Sequence, residues 1–309
     1  MMTMLGILFG SVTWSATFRL STPIILTSVG GSFNKHTGVF CIAFECFMLS
    51  AAFFAAWGSY LTGSPYMGTL FAILAGLLLA AIFGMFVLNF KANPMIVSIA
   101  MNFGAWAVTT LLLTEIFGVR GYFHSPKIVN FSPIDIPVLR EIPYINEVLN
   151  NQIILVYIAY ISVVVGTIIM YKTPFGLRLR TIGINEIGAQ TAGVNILKYK
   201  WIGLAIMGIM SGLGGAYLPL SGLSMFSENM SSGRGFLAFA AILVSKGNPV
   251  KAALISILFA YTNALTFTLT SYGIPSQLLQ MFPFIAVIIV LMIGNLRNLS
   301  LTPVIEASE

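Results

Sequence analysis

Glu45 stands in the run VFCIAFECFMLSAAFFAAWG, which otherwise carries no charge. A carboxylate inside an apolar helix loses its hydration, so it must face water, the interior of a bundle or a partner. Two roles fit it: a group on a solute pathway, or a hydrogen bond that locks one helix to another. Asn102 and Trp106, four residues apart in MNFGAW, share one helix face. Asn263 lies in FAYTNAL, and Phe236 heads the apolar run FLAFAAILV. Neutral amides beside aromatic faces suit a solute with hydroxyls and a flat ring. The chain has 24 Phe, 11 Tyr and 4 Trp, so any single ring is as readily packing or an interface anchor. The candidate pathway set is Glu45, Asn102, Trp106, Phe236 and Asn263.

A second set is of another kind. The stretch GLRLRTIGINEIGAQTAGVNILKYK, residues 176–200, places Arg178, Arg180, Lys198 and Lys200 between two apolar runs. Asn185 can cap a short helix that begins near Glu186, whose acid favours a helix N-terminus. Gly193 can end that helix. The loop 171–200 is therefore expected to be a structured lever rather than slack linker. It can grip another protein or rest on anionic lipid.

Much chemistry is absent. There is no GxxxxGK[ST] phosphate loop, so the chain is not expected to hydrolyse ATP by itself. HExxH, GxSxG and CxxC are missing as well. His36 and His124 are predicted on opposite sides of the membrane and share no metal. No cofactor, metal or catalytic residue is assigned to this chain.

Placing these residues requires membrane helices. Of 309 residues, 58% are hydrophobic and 8% are charged, where a soluble domain carries about 25% charged residues. Apolar runs of about 18–25 residues are long enough to cross a bilayer. The fold is expected to be an all-α polytopic bundle of one domain, residues 1–309. The first run is read as a span, since it lacks the basic start and cleavage site of a signal peptide. Nine spans are predicted at 6–30, 38–61, 66–89, 94–117, 152–170, 201–220, 236–250, 251–271 and 276–295. The seventh is short: its 15 residues make about 22 Å of helix, against a hydrocarbon core of about 30 Å. It is expected to be broken or re-entrant. Gly208 and Gly212 mark a close helix contact. The outer loop 118–150, with Pro126, Pro133, Pro137 and Pro143, is expected to form a compact cap.

Charge sets the orientation. Lys35, Lys91, Lys172, Arg178, Arg180, Lys198, Lys200, Lys246, Lys251 and Arg297 fall on one side. Arg120, Lys127, Arg140 and Arg234 fall on the other. The richer side is predicted cytoplasmic, which puts the N-terminus outside and the C-terminus inside. The scattered basic residues read as topology signals and membrane-lipid contacts, and no nucleic-acid partner is expected. Arg19, inside the first apolar run, needs a partner, or else that span is shorter. Cys41 and Cys46 make a poor disulfide framework.

Several stretches, in order, resemble a known family. They are TPIILTSVGGSFNKHTGVFCIAFECFMLSAAFFAA, NPMIVSIAMNFGAWAVTTLLL, the 176–200 stretch, SGLGGAYLPL and FSENMSSGRGFLAFAAILVSKGNPVKAALISILFAYTNAL. The chain resembles the membrane permease subunit of bacterial ATP-binding-cassette (ABC) importers, in the simple-sugar and nucleoside subgroup related to the ribose permeases. The resemblance covers most of residues 20–295 and implies a multi-pass protein of the bacterial inner (cytoplasmic) membrane. It implies that 171–200 is a coupling loop to a cytoplasmic ABC ATPase, which would bind the ATP and Mg. Within that loop Gly183, Asn185, Ala189, Ala192 and Gly193 match the family pattern, alongside Arg178, Arg180 and Glu186. Other implied partners are a second permease, often non-identical, and a substrate-binding lipoprotein or periplasmic protein. The implied cargo is a nucleoside or simple sugar. The chain departs from the subgroup at Cys41 and Cys46, where Asn and Gly are usual, so no finer cargo is carried over. The competing expectation is an ion-coupled secondary transporter that works alone, which a buried Glu45 and half-helices would suit. A non-transporting membrane scaffold is the third.

Overall fold

Proline and short polar side chains mark where the helices begin. Pro65, Pro94 and Pro174 sit in first turns, where the missing amide hydrogen would have had no helical partner. Asn93, Thr173, Asn185 and Asn195 accept hydrogen bonds from the amides of Met95, Gly176, Gly188 and Lys198, capping four helices. Gly63 and Gly118 end the helices Phe44–Thr62 and Pro94–Phe117 at φ 66° and 68°, a left-handed turn that favours glycine.

The computed structural model describes residues 10–137, 143–270 and isolated positions between 281 and 292. Its helices are α1 (Ser11–His36), α2 (Phe44–Thr62), α3 (Pro65–Gly84), α4 (Pro94–Phe117), α5 (Pro143–Leu149) and α6 (Ile154–Lys172). They continue with α7 (Pro174–Ile184), α8 (Glu186–Thr191), α9 (Ile196–Leu220), α10 (Arg234–Val244) and α11 (Pro249–Thr270). A π-helical turn, Met85–Asn89, extends α3. Strands β1 (Tyr122–His124) and β2 (Met225–Ser227) pair antiparallel, with Tyr122 opposite Ser227.

Six helices among the described residues, rather than the nine predicted, are long and apolar enough to cross a membrane. They are Phe44–Thr62, Pro65–Asn89, Pro94–Phe117, Ile154–Lys172, Ile196–Leu220 and Pro249–Thr266. The difference has three sources. The first predicted span, 6–30, is the helix 11–36, whose many Ser and Thr residues make it too polar to count. The seventh, 236–250, is the 11-residue α10, which keeps the expected short or broken character. The last, 276–295, lies outside the described residues except at isolated positions. The second span also starts later than predicted, because residues 37–43 are irregular and helix begins only at Phe44.

The polar helix α1 is the centre of the bundle. It packs on α9, α11, α10, α6, α5 and α7. Thr17, Ser21, Thr22, Thr27, Ser28 and Ser32 on it are all fully buried. Most of these hydroxyls bond to their own helix or to neighbours: Ser28 meets Ser256 of α11 at 3.2 Å, and Ser21 meets Tyr160 of α6 at 2.8 Å. Arg19, in its first half, donates from Nε to Gln152 at 3.0 Å, which supplies the required partner.

Small residues set the α3–α9 contact. A Cβ built on Gly208 would lie 2.6 Å from the Gly76 carbonyl oxygen, and one on Gly212 would lie 2.8 Å from that of Ala72. The predicted glycine contact is thus a backbone-to-backbone approach. Replacing Gly208 with Leu forces the two helices apart at a cost of roughly 3 kcal/mol, at the upper end for overpacking. The expected result is loss of a monodisperse peak in detergent size-exclusion chromatography and a lower melting temperature than Ala at the same site.

The segment 118–150 folds back on the bundle. Phe226 of β2 meets Phe53 of α2 edge-on at 5.2 Å, and Phe123 of β1 stacks on Phe117 at 4.0 Å. Ile134 bridges Gln152, and the Phe131 amide donates to the Leu220 carbonyl. Among the described residues, this proline-bearing segment holds only the short strand β1 and the short helix α5 as regular elements.

Candidate functional site

Glu45 sits at the start of α2 and is 8% exposed. Its Oε1 accepts from the Ser231 hydroxyl at 2.5 Å and from the Gly233 amide at 2.8 Å. Its Oε2 accepts from the Gly235 amide at 2.8 Å. These donors belong to the first turn of α10 and the loop before it. α10 has no capping side chain of its own, and Gly233 enters it at φ 80°. Glu45 therefore caps a helix to which it does not belong, satisfying orphan amides and opposing the positive end of the helix dipole. A Cβ at Gly235 would overlap the main chain of Glu45, so only glycine permits this approach. Arg234 lies alongside and donates from Nη1 to the carbonyls of Met230 and Ser231 at 3.1 and 3.2 Å.

Asn102 repairs the break before α2. Its Oδ1 accepts from the Cys46 amide at 2.9 Å and its Nδ2 donates to the Ile42 carbonyl at 3.2 Å. Ser98, one turn earlier on α4, accepts from the Ile42 amide at 3.1 Å. Unwound backbone inside a membrane bundle persists only where protein or water satisfies it, and here α4 does so. Cys41 and Cys46 are buried free thiols. Phe236, 44% exposed, follows directly after Gly235. Its neighbour Phe239 packs on Phe40 and Phe44 at 5.9 and 6.2 Å.

Glu45, Asn102 and Phe236 thus gather around the start of α2. Trp106, one turn beyond Asn102, is 52% exposed. It lines an open groove of about 670 Å³ with Thr110, Thr114, Glu115, Arg120 and Glu228. Asn263 does not join them through its hydrogen bonding, since its Nδ2 donates to Phe259 of its own helix at 3.2 Å.

The second candidate set forms two helices, α7 and α8. Asn185 Oδ1 accepts from the Gly188 amide at 2.9 Å, and Gly193 closes the turn at φ 77°, both as expected. Glu186 pairs with Lys200 at 2.8 Å. Ala189 is buried, while Ala192 is exposed. Arg178 lies on the surface and donates to the Tyr199 hydroxyl at 2.9 Å, a bond that raises its already high pKa. Arg180 stacks over the Tyr171 ring at 5.0 Å. Gly183 packs directly on the main chain of His36.

Sequence reasoning missed several participants. Ser231, Gly233 and Gly235 were visible only as a glycine-rich stretch ahead of a short apolar run. Nothing local links them to Glu45, some 190 residues away in the chain. Ile184 and Ile187 were also missed: they are 85% and 76% exposed on the tip of α7–α8. Bulky aliphatic side chains this exposed on a polar element point to a binding partner.

A polytopic bundle with a stitched break, a half-length helix and a projecting lever is the architecture of a transporter's membrane subunit. Among the described residues, no three His, Cys, Asp or Glu side chains cluster to hold a metal. A family model described as branched-chain amino acid transport system / permease component matches residues 14–292. The chain belongs to that family and is the permease component of an ABC-type importer. Permeases of this family lack a catalytic site, and ATP hydrolysis falls to a separate subunit. The nucleoside ABC transporter permease protein NupC of Lactococcus lactis subsp. cremoris is 31% identical over 88% of both chains. The guanosine ABC transporter permease protein NupQ of Bacillus subtilis is 30% identical over 91% of both. A solved metal-chelate-type ABC transporter in an inward-facing conformation shares the fold. Its TM-score is 0.50 at 13% identity, over 87% of this chain and 80% of that one.

Proposed function

We propose that this permease imports nucleosides, working with a second, non-identical permease, a cytoplasmic ABC ATPase that binds ATP and Mg, and an extracellular or periplasmic binding protein. The observation that carries the cargo assignment is the pair of relatives named for nucleoside and guanosine transport, each at least 30% identical across about nine-tenths of both chains. Family membership supports ATP-driven import over the stand-alone ion-coupled alternative. In this reading the N-terminus is outside and α7–α8 is cytoplasmic. The binding protein docks on the 118–150 and 221–235 loops. The α4 face bearing Trp106 borders the route, together with Phe236. Its aromatic ring suits a base, and its threonines and carboxylates suit sugar hydroxyls. Glu45 and Asn102 hold the wall of that route in shape.

The test is uptake by proteoliposomes that hold the complete complex with its binding protein. Radiolabelled guanosine, adenosine, uridine, ribose and leucine are offered in turn. Nucleoside uptake that needs ATP and the binding protein is the expected result. Uptake of leucine or ribose alone would reassign the cargo, and uptake driven by a sodium or proton gradient without the ATPase would overturn the mechanism.

A further inference from the structure

We propose that His36 is a positioning residue for coupling, through which the α7–α8 lever moves the half-helix α10. The proposal rests on the reading of that lever as the ATPase docking element. Three contacts carry it. A Cβ placed on Gly183 of α7 would lie 2.5 Å from the His36 carbonyl oxygen and 3.1 Å from its carbon. The lever therefore bears on the end of α1 with no side chain between them. The His36 ring is half-buried, and its Nε2 donates to the Gly247 carbonyl at 3.1 Å. Gly247, at φ 81°, returns its amide to Ile242 and so closes the C-terminal end of α10. One residue thus touches the lever through its main chain and the half-helix through its side chain.

The surroundings favour transmission over slack. Gly38, at φ 75°, turns the chain two residues after His36, where an added Cβ would lie 3.8 Å from the Gly183 Cα. On the far side, Thr37 is fully buried, and a Cβ on Gly203 of α9 would lie 2.5 Å from its methyl group. α1 packs on both α7 and α10. The half-helix is held at both ends, by Glu45 at its start and by His36 after its last turn. Eleven helical residues make a rod of roughly 16 Å, so a displacement at His36 reaches the Glu45 end with little loss. Close-packed interiors pass strain in this way.

A chain of contacts becomes a coupling route only when perturbing it changes the coupling. The complete complex is reconstituted with His36→Leu, Gly183→Ala, the double variant, and His36→Gln, whose amide still donates. Two quantities are read: co-purification of the ATPase, and cargo moved per ATP hydrolysed. His36→Leu is expected to keep the ATPase bound while cargo per ATP falls roughly two- to thirtyfold, and Gly183→Ala is expected to lower the same ratio. His36→Gln should restore most of the ratio. The double variant should be no worse than the poorer single, because both break one link. An unchanged ratio in His36→Leu, or fully additive losses, overturns the proposal. Amide hydrogen exchange in the unaltered complex gives an independent reading. Exchange at residues 243–248 should differ between ATP-bound and nucleotide-free states, and indifference to nucleotide also overturns it. A wild-type complex that never binds the ATPase would instead refute the docking role of α7–α8.

Discussion

Replacing Glu45 with Ala is expected to unfold the start of α10 and cost the permease roughly 3–5 kcal/mol. The figure follows from the geometry. Three donors meet the carboxylate at 2.5–2.8 Å, and hydrogen bonds to a charged group contribute about 1.5–3 kcal/mol each. Removing the acceptor also strands two amides and a hydroxyl in a buried place, at about 1–3 kcal/mol per group. Losses within one network do not add in full, hence the reduced total. Gln at this position keeps one oxygen but brings an amide nitrogen toward the Gly amides, so it should rescue only part. The measurement is the detergent melting temperature of Ala, Gln and Asp variants, beside their uptake activity. An Ala variant with wild-type melting and an altered choice of cargo would instead make Glu45 a solute contact.

The second large effect is expected at the lever tip. Ile184 and Ile187 leave most of their side-chain surface open to solvent. Burying an aliphatic side chain of this size is worth about 1.5–3 kcal/mol, so in the proposed docking of the ATPase on this tip the pair would supply much of the contact energy. Changing both to Asp removes that gain and places two charges in the contact. ATPase affinity should fall by roughly a hundredfold or more, since each 1.4 kcal/mol is about a factor of ten. Reversing the charge of Arg178 and Arg180 should do less. Arg178 is exposed, where solvent and salt screen a single charge contact, and Arg180 is already engaged with Tyr171. Pull-down of the ATPase by each variant decides the order. Equal retention by the double Asp variant and the wild type would remove α7–α8 from the docking surface.

The helical membrane class was legible because it follows from apolar run length, and the caps at Asn185 and Gly193 because capping is local. The Gly208 and Gly212 contact was legible for a similar reason, since small-residue spacing on one helix predicts close approach. What stayed hidden was pairing across the chain. Glu45 could be flagged as costly, but its solution is a loop near residue 233, and no local pattern points there. Asn102 read as a solute-facing amide because a side chain that serves unwound backbone has the same composition signal as one that serves cargo. Among the described residues, the first predicted span is missing from the six for a related reason. Hydropathy measures a helix against lipid, and α1 is surrounded by protein.

That placement of α1 has a consequence for how the chain is made. The helix is synthesised before α9, α10 and α11, yet the surfaces that bury its hydroxyls belong largely to those three. At about 5–20 residues per second, α9 follows some ten to thirty seconds later. During that interval a hydroxyl-rich helix must wait beside the insertion machinery, without the neighbours that will eventually enclose it. A stall in synthesis before residue 196 would leave it exposed to lipid and to membrane proteases, so maturation of the bundle around α1 waits on α9, α10 and α11.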